Sequence, residues 1–426
     1  MNFRRLSEFF SQIENTPSRN EMTEILSGLY SQCSKEEVGM ISYLLVGRVS
    51  PLFVSEEFNI ASKSLVEVLK YLATEVGYSK DVLSLYNKLG DLGSTAEEIV
   101  KSGKKSVGKK SPTIEKVYSG LWGIVGISGS GSVERKKSTI VDMIKNLSPL
   151  EAKYVVRILS QELRLGSSSK TILDALSFSS KGDKSDRDAI EKAFGVCSDL
   201  GYVAQTYVEG GRLAVEKIDA TPGIPIFSML VEREKDPKSI MKRIEKPIVQ
   251  PKFDGIRCQI HVGVNEKESF GHTVWNKYLN LLDNKQSGFF EKEGSSVKLY
   301  SRNLEDLTNM FPDVVEEAKK LKIKSGIFDS EIVGFDENTE EFATFQSTMI
   351  RRRKYDVKKA SEKQPIRTFV FDVLYLDGKP LMDISNLDRV ERLKKVIPKN
   401  GVISLSESKS ISSIKDLENI FKEKIN

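Results

Sequence analysis

The chain has 426 residues, an apolar content of 39% and a net charge of +5. Because domains usually hold about 100–200 residues, this length predicts two or three domains. No apolar run approaches the roughly 20 residues of a membrane-spanning helix, and the N-terminal residues lack the apolar core of a secretion signal. The composition therefore excludes a membrane-spanning helix, and we expect a cytoplasmic protein without a secretion signal.

The chain contains only three cysteines and two histidines. The cysteines are far apart and odd in number, which argues against a disulfide framework and fits a reducing cytosol. Such scattered Cys and His residues also argue against a structural zinc site.

The first half of the chain predicts helices. Ser34–Glu37 and Ser148–Glu151 have the pattern of capping boxes, and each precedes apolar residues at helical spacing. Few stretches before residue 205 alternate between polar and apolar residues as strands do. We therefore predict an all-α domain over residues 1–215.

Two basic clusters and one loop of small residues are candidates for contact with nucleic-acid phosphates. The clusters are 101–110, with five lysines and no acid, and 351–354. The loop Ser128–Ser132 precedes Lys136 and Lys137. Small residues let backbone N–H groups approach a phosphate, and clustered cations attract polyanions. A plain solvated loop is an equally good explanation, so both interpretations stay open.

The pattern changes near Thr221–Pro225, where two prolines and a glycine mark a connection. Strands with interspersed helices follow, which predicts an α+β domain over residues 216–426, and the stretch 263–296 reads as an insertion or a long hairpin. The predicted strands are Ile256–Val262, Val297–Ser301, Ile327–Phe335 and Thr368–Tyr375, and the predicted helices are Asp313–Leu321, Leu387–Ile397 and Ile411–Ile425. We expect the last helix to turn its apolar residues inward: Ile414, Leu417, Phe421 and Ile425.

Lys252 is the first candidate for chemistry. It lies on a loop directly before the predicted strand Ile256–Val262, with Asp254 two residues later and Arg257 five residues later. A lysine becomes a covalent nucleophile only when burial or its neighbours lower its pKa. A nearby arginine can lower that pKa and can also hold a phosphate. These residues therefore indicate a candidate nucleophile beside a candidate phosphate-binding group.

Two carboxylates form a second candidate group. Asp329 and Glu331 lie two residues apart on a predicted strand and therefore share one of its faces. Adjacent carboxylates repel each other unless a cation joins them, and Mg²⁺ with a phosphate substrate is one solution. The alternative is an edge strand whose polar face lies in water.

The segment Phe369–Gly378 is apolar on both faces and predicts a buried strand, with Phe369, Phe371, Val373 and Tyr375 on one side. Core packing explains most of these rings, although one of them could stack on a base.

Arg302 follows a short predicted strand, which would present its side chain at the strand end. A single arginine in such a place is usually an ordinary surface residue.

These motifs, in this order, resemble those of the ATP-dependent DNA ligases of the archaeal and eukaryotic replicative type. That family belongs to the nucleotidyltransferase superfamily, which also holds RNA ligases and mRNA capping enzymes. The resemblance spans nearly the whole chain. Its motifs are Ser128–Ser132, Glu162–Gly166, Ser198–Gly201, Lys252–Arg257, Leu299–Asn303, Asp306–Thr308, Phe311–Asp313, Phe328–Glu331 and Phe369–Gly378.

The resemblance implies a multidomain fold, in which an all-α DNA-binding domain precedes an α+β nucleotidyltransferase (adenylation) domain. It implies that Lys252 attacks the α-phosphorus of ATP and carries AMP. The AMP would then pass to the 5′-phosphate of a nick, and the 3′-hydroxyl would attack that activated phosphate. Arg257 and Arg302 would hold the nucleotide and later the nick phosphate. Glu331 would bind Mg²⁺ and contact the nucleotide, and Phe371 would stack on the adenine.

The chain departs from the family in two places. The family usually has Glu two residues before the nucleophile, where it meets the adenine. This chain has Gln250 there, and its amide can still accept or donate a hydrogen bond. In the family, a Glu-Gly motif, lysines that contact the α-phosphate and an OB-fold domain follow the position of Asn426. We therefore expect a fold without the OB-fold domain and weak self-adenylation by this chain alone.

The resemblance implies that the partner is nicked double-stranded DNA, bound mostly through its phosphates and so without sequence preference. It implies roles in DNA replication, repair and recombination in an archaeal-like, prokaryotic cytoplasm. A sliding clamp is a candidate partner, and we expect a monomer that does not contact a membrane. Two alternatives remain open. One is a catalytically impaired fragment that binds nicks, and the other is an RNA ligase or capping enzyme, which the long helical domain disfavours.

Overall fold

The structure is a computed structural model that describes residues 1–55, 57–104, 110–265, 269–271, 273–279, 297–336, 341–353 and 356–425. Its contacts divide the chain into two compact units. The helical unit comprises Met1–Ile218 and Phe270–Glu291, and the sheet unit comprises Asp219–Ser269 and Lys292–Asn426. The sequence-based boundary at 215/216 assigned 270–279 to the second domain, whereas the structure groups this stretch with the helices.

Amphipathic helices build the helical unit, and their buried stripes form its core. Both predicted capping boxes are confirmed, since Ser34 with Glu37 and Ser148 with Glu151 exchange side-chain and backbone hydrogen bonds. The helices are α1 (Phe3–Glu14), α2 (Arg19–Tyr30), α3 (Lys35–Leu44), α4 (Ser62–Val76), α5 (Val82–Leu89), α6 (Leu92–Ser102), α7 (Ile114–Val125), α8 (Ser132–Ile144), α9 (Pro149–Leu159), α10 (Ser169–Lys181), α11 (Arg187–Cys197) and α12 (Leu200–Val215).

A buried carboxylate joins the segment Phe270–Leu279 to the helices. The indole N–H of Trp275 donates to Asp199 at 2.9 Å, the Tyr43 hydroxyl donates to the same carboxylate, and so does the backbone N–H of Tyr202. Burial raises the pKa of Asp199, and these hydrogen bonds act in the opposite direction. Asp199, which lies in one of the motifs of the resemblance, therefore serves packing inside the helical unit.

In the part of the chain that the structure describes, the sheet unit combines a seven-stranded sheet, a separate two-stranded ladder and short helices. Its elements in chain order are α13 (Pro237–Arg243), β1 (Ile248–Val249), β2 (Ile256–Val262), β3 (Val297–Ser301), a 3₁₀ turn (Thr308–Met310), α14 (Pro312–Ala318), β4 (Gly326–Asp336), β5 (Glu341–Phe342), α15 (Phe345–Met349), α16 (Val357–Lys363), β6 (Ile366–Leu376), β7 (Lys379–Pro380), α17 (Asn386–Val396), β8 (Ile403–Leu405), β9 (Lys409–Ser410) and α18 (Ile414–Ile425). All four predicted strands are confirmed as β2, β3, β4 and β6.

The large sheet is mostly antiparallel, in the order β3-β2-β4-β6-β7, with β8 parallel to β6 and β5 paired with β4. One face carries the core, where Cys258, Ile260, Phe328 and Val370 pack against α14 and α17. Because strand residues alternate between faces, the other face of β2 and β4 carries Arg257, Asp329 and their neighbours.

The last helix differs from its prediction. α18 begins at Ile414, and two of the residues predicted to face inward do not, since Ile414 is 40% exposed and Phe421 is 65% exposed. Leu417 is half-buried, and the side chain of Ile425 lies outside the described part of the chain. Periodicity shows that a helix has an apolar face but does not show what covers that face. No helix within the described residues has the length and apolar character needed to cross a bilayer.

A buried histidine ties the connection near Thr221–Pro225 to strand β2. His261 accepts a hydrogen bond at Nδ1 from the backbone N–H of Gly223, so its proton lies on Nε2, which donates to Gln259 Oε1. Gln259 also bonds both backbone groups of Ile226, and the Tyr300 hydroxyl donates to Gly223 O at 2.6 Å. These hydrogen bonds attach the connection to β2 and β3.

We expect the stability of the sheet unit to fall as the pH drops below about 6.5, because of His261. Burial lowers the pKa of His261 from 6.5 to about 3, so between these values the unfolded chain binds a proton that the folded chain excludes. Linkage then costs about 1.4 kcal/mol of unfolding free energy between pH 7.5 and pH 5.5. Urea unfolding at both pH values should show this loss, and His261→Gln should lack it.

The comparison between the two chains isolates this group, because every other titrating residue is the same in both. An equal loss of unfolding free energy in the unaltered chain and in His261→Gln would contradict the prediction.

Candidate active site

Lys252 lies on the loop that joins β1 to β2, and its side chain is exposed. Gly255 lets this loop run against β4, because a Cβ at that position would lie 2.2 Å from the carbonyl oxygen of Ile332 and 3.1 Å from Cγ of Glu331. Among the described residues, no carboxylate forms an ion pair with Lys252. The ammonium group is therefore open to an incoming ligand.

Glu331 lies on β4 beside the Lys252 loop, and its register partner on β2 is Arg257. Burial raises the pKa of the Glu331 carboxyl, while the backbone of Gly255 and the charges of Arg257 and Lys252 act in the opposite direction. The close approach of Gly255 to Glu331 brings the loop of the predicted nucleophile beside the predicted metal ligand. Half-buried Glu331 can therefore accept a cation or a hydrogen-bond donor from a ligand.

Asp329 has a different environment from Glu331. Arg257 donates to both of its oxygens, with Nε 3.2 Å from Oδ1 and Nη2 2.5 Å from Oδ2. Burial raises the pKa of Asp329, and Arg257 acts against this rise. The alternative of an edge strand with its polar face in water is wrong, because β4 lies between β2 and β6 and Asp329 is buried.

Phe371 is the extra residue of a β-bulge. Val370 pairs with Ser330 and Asp372 pairs with Asp329, so Phe371 has no partner on β4. Bulges often redirect a side chain beside a functional site. The Phe371 ring is half-buried, and its centroid lies 5.3 Å from the Arg257 guanidinium carbon. The bulge thus places an aromatic face beside Arg257.

The prediction that Phe369, Phe371, Val373 and Tyr375 share one side of the strand is wrong. The register shifts after Val370 and again beyond Val373, so Val373 joins the core. Phe369 stacks on Phe253 with ring centroids 4.2 Å apart and an interplanar angle of 9°. Single-strand periodicity cannot predict such shifts, because a bulge reverses which face each later residue occupies.

Gln250 follows β1, and its amide reaches the same bulge. Nε2 donates to the carbonyl oxygen of Phe371 at 3.1 Å and to Oγ of Ser408 at 3.0 Å. Gln250 therefore lies beside the Phe371 bulge. No sequence signal pointed to Ser408, because its role depends on a strand pairing between residues far apart in the chain.

Arg302 lies in a tight turn after β3, and its side chain is exposed. The hydroxyl of Ser301 accepts hydrogen bonds from the backbone N–H groups of Asn303 and Glu305, and Leu304 has a left-handed conformation with φ +66°. This turn presents Arg302 at a strand end, as the sequence predicts. No contact within the described residues joins its guanidinium to the group around Lys252.

The arginine block at 351–354 was interpreted either as a contact for nucleic-acid phosphates or as a solvated loop. Neither interpretation fits its first two residues. Arg351 is buried, donates to both oxygens of Asp313 at 3.0 and 2.8 Å, and also donates to the carbonyl oxygen of Gln364. Arg352 forms an ion pair with Glu305. Both therefore hold the fold together. Arg353 is exposed, and Lys354 lies outside the described residues.

The candidate phosphate-binding residues of the helical unit are only partly exposed. The loop Ser128–Ser132 lies on the surface, where Arg135 donates to the carbonyl oxygens of Ser128 and Ser130. Lys136, by contrast, is buried and donates to the carbonyl oxygen of Phe58 at 2.6 Å. In the lysine cluster at 101–110, Lys101, Lys104 and Lys110 are exposed, and 105–109 lie outside the described residues.

The donor set at this site fits a magnesium ion that is shared with a phosphate substrate. The described residues contain no group of three or more His, Cys, Asp or Glu side chains able to hold a metal. Arg257 forms an ion pair with Asp329, whereas the half-buried carboxylate of Glu331 forms no ion pair within the described residues. Mg²⁺ commonly binds through one or two carboxylates, with substrate phosphates and water completing its octahedron. Glu331 is therefore a suitable ligand only when a phosphate is present.

Comparison with known proteins adds an independent finding. The family model described as "DNA ligase N terminus" matches residues 2–177, and the model described as "ATP dependent DNA ligase domain" matches residues 288–426. The protein named "Probable DNA ligase" of Dictyoglomus turgidum is 37% identical over 424 residues, which cover 99% of this chain and 66% of the relative. DNA ligase 2 of Thermofilum pendens is 36% identical over 431 residues, with coverage of 99% and 66%.

A third relative, DNA ligase 1 of Methanosarcina acetivorans, is 32% identical over 432 residues, which cover 99% of this chain and 68% of the relative. The chain therefore spans about two thirds of the length of the curated relatives that it matches.

Proposed function

This chain belongs to the ATP-dependent DNA ligase family, and from this premise we propose that it seals nicks in duplex DNA through a lysine–AMP intermediate at Lys252. The observation that supports the proposal is that the Lys252 loop packs closely against Glu331 at Gly255, while Arg257, the register partner of Glu331, lies beside the Phe371 ring. Such a cluster suits phosphoryl transfer, which depends on positioning and charge neutralisation.

The first step uses the exposed amine of Lys252. Its Nζ, after losing a proton to solvent, attacks the α-phosphorus of ATP, so that an N–P bond forms and the bond to pyrophosphate breaks. The 5′-phosphate of a nick then attacks the same phosphorus and releases the lysine. The 3′-hydroxyl finally attacks the 5′-phosphate, loses its proton and expels AMP, which closes the strand.

The neighbouring side chains have distinct proposed roles. Phe371 would stack on the adenine, and Gln250 would meet the edge of the base. The N–H groups of Arg257 that do not contact Asp329 would hold the α-phosphate, and Arg302 would add a second contact. Glu331 would contact the nucleotide and hold Mg²⁺ together with the ATP phosphates. When bound, this ion neutralises negative charge on the phosphates during transfer.

The proposal extends to the partners of the chain. The helical unit would bind the duplex through its phosphates, with the surface loop Ser128–Ser132 and the exposed Arg164 as candidate contacts. Such contacts carry no sequence information. We also propose that the chain acts as a cytoplasmic monomer in replication, repair and recombination, with a sliding clamp as candidate partner.

A labelling experiment tests the central proposal. The full chain is incubated with Mg²⁺ and with ATP labelled at the α-phosphate, then denatured, and the retained label is mapped by peptide mass spectrometry. We expect covalent AMP on the peptide that contains Lys252. Label on another residue, or no covalent label above that of a heat-denatured sample, would contradict the proposal.

A binding experiment separates this function from the alternatives. Gel-shift titrations compare nicked duplex DNA, intact duplex DNA and nicked duplex RNA at two salt concentrations, because phosphate contacts make the affinity depend on salt. We expect the nicked DNA to bind most tightly. Preference for RNA would favour the RNA ligase alternative, and nick binding without covalent label would favour the binding-fragment alternative.

A further inference from the structure

We propose that Ser408 is a positioning residue, which fixes the Gln250 amide with its carbonyl oxygen available to the 6-amino group of adenine. This inference rests on the proposed function, since it concerns the base of the nucleotide that Lys252 would take. Ser408 would not touch the nucleotide and would act through Gln250.

The small ladder of β1 and β9 brings the two residues together. Ile248 pairs with Ser410 and Val249 pairs with Lys409. Continuation of this antiparallel register places Gln250 opposite Ser408, and the side chains meet at 3.0 Å. The pairing therefore connects a residue beside Lys252 with one that lies far along the chain.

Two acceptors determine the orientation of the Gln250 amide. The backbone carbonyl of Phe371 can only accept a hydrogen bond, so the NH₂ group of the amide must face it. The Ser408 hydroxyl directs its own hydrogen toward the carbonyl oxygen of Ser406 at 3.5 Å, which leaves its lone pairs for Gln250. Both amide hydrogens are thus used. Within the described residues, Gln250 Oε1 has no donor of its own.

A carbonyl oxygen held in this way can distinguish purine bases. Adenine presents an NH₂ donor at position 6, whereas guanine presents a carbonyl acceptor there. Gln250 Oε1 would accept a hydrogen bond from adenine and would repel the guanine oxygen. Phe371 contributes twice, because its ring would stack on the base while its carbonyl orients the amide that reads the base edge.

Nucleotide binding to Ser408 variants tests the inference. Dissociation constants are measured by calorimetry without divalent cations, for ATP and for purine riboside triphosphate, which lacks the 6-amino group. We expect Ser408→Ala to weaken ATP binding about three- to tenfold, as for the loss of one ordinary hydrogen bond. Binding of purine riboside triphosphate should change less than about twofold on the same grounds.

Two further variants control for changes in folding. Ser408→Thr keeps the hydroxyl and should bind ATP as the unaltered chain does. Ser410→Ala removes a hydroxyl two residues further along, on β9 opposite Ile248, and should leave both constants unchanged. An equal weakening for both nucleotides, or no weakening for ATP, would overturn the inference and leave the proposed function intact. If the unaltered chain bound no ATP, the proposed function would fail, and the inference would fail with it.

Discussion

Replacement of Lys252 by alanine is expected to abolish covalent transfer of AMP from ATP to this chain, so that the retained label falls to the level of a heat-denatured sample. The reason is chemical, since alanine has no amine to form the bond with phosphorus. Binding of nicked DNA should persist, because the proposed duplex contacts lie in the helical unit. Retained radiolabel after denaturation and gel-shift affinity measure the two properties separately.

Lys246→Ala is a matched control, since Lys246 is also exposed and lies six residues before Lys252. This variant should keep the label yield of the unaltered chain. A labelled Lys252→Ala chain would show that another residue is the nucleophile. If DNA binding disappeared together with the label, Lys252 would have a structural role instead.

Replacement of Arg257 by alanine is expected to lower the free energy of unfolding of the sheet unit by about 3 kcal/mol. Asp329 is buried and makes its ion pair with Arg257, so the variant leaves a buried carboxylate without its cation. Breaking one side of a buried pair usually costs about 3–5 kcal/mol, and the partial exposure of Arg257 places the estimate at the lower end. Urea unfolding at neutral pH measures the loss.

A double variant separates structure from chemistry at this pair. Replacement of a whole buried ion pair by apolar residues is often neutral for stability, so Arg257→Met with Asp329→Leu should recover most of the unfolding free energy. Adenylation should stay low, because the proposed phosphate-binding guanidinium is still missing. A double variant that recovered both stability and label would assign Arg257 a purely structural role.

The local pattern of residues was enough to predict most of the elements that carry the site. Alternation predicted β2 with its observed bounds, and the predicted bounds of β3 also agree with the structure. Two capping boxes predicted where α3 and α9 begin, because their hydrogen bonds connect residues three positions apart. Lys252 could likewise be placed on a loop before a strand, because that prediction depends only on neighbouring residues in the chain.

Distant contacts limited the prediction of the side-chain environments. The block that begins at Arg351 has the composition of a surface cluster, and nothing local indicates that Asp313 and the Gln364 carbonyl bury its first guanidinium. The apolar face of α18 has a clear helical period, yet Phe421 is exposed. Composition and periodicity show which secondary structure a segment can form and which of its faces is apolar. Burial depends on which other segments pack against it.

The sequence by itself determined the fold class, the order of the elements and the identity of the candidate nucleophile, because these follow from local spacing and from motifs within single segments. Only the tertiary structure decided how the site is assembled: which carboxylate forms the ion pair with Arg257, where the Phe371 ring points and which hydroxyl orients Gln250. Each of these depends on strand register, and a shift of one residue moves every side chain of a strand to its other face. Register is set by packing between residues far apart in the chain, so no single segment contains it.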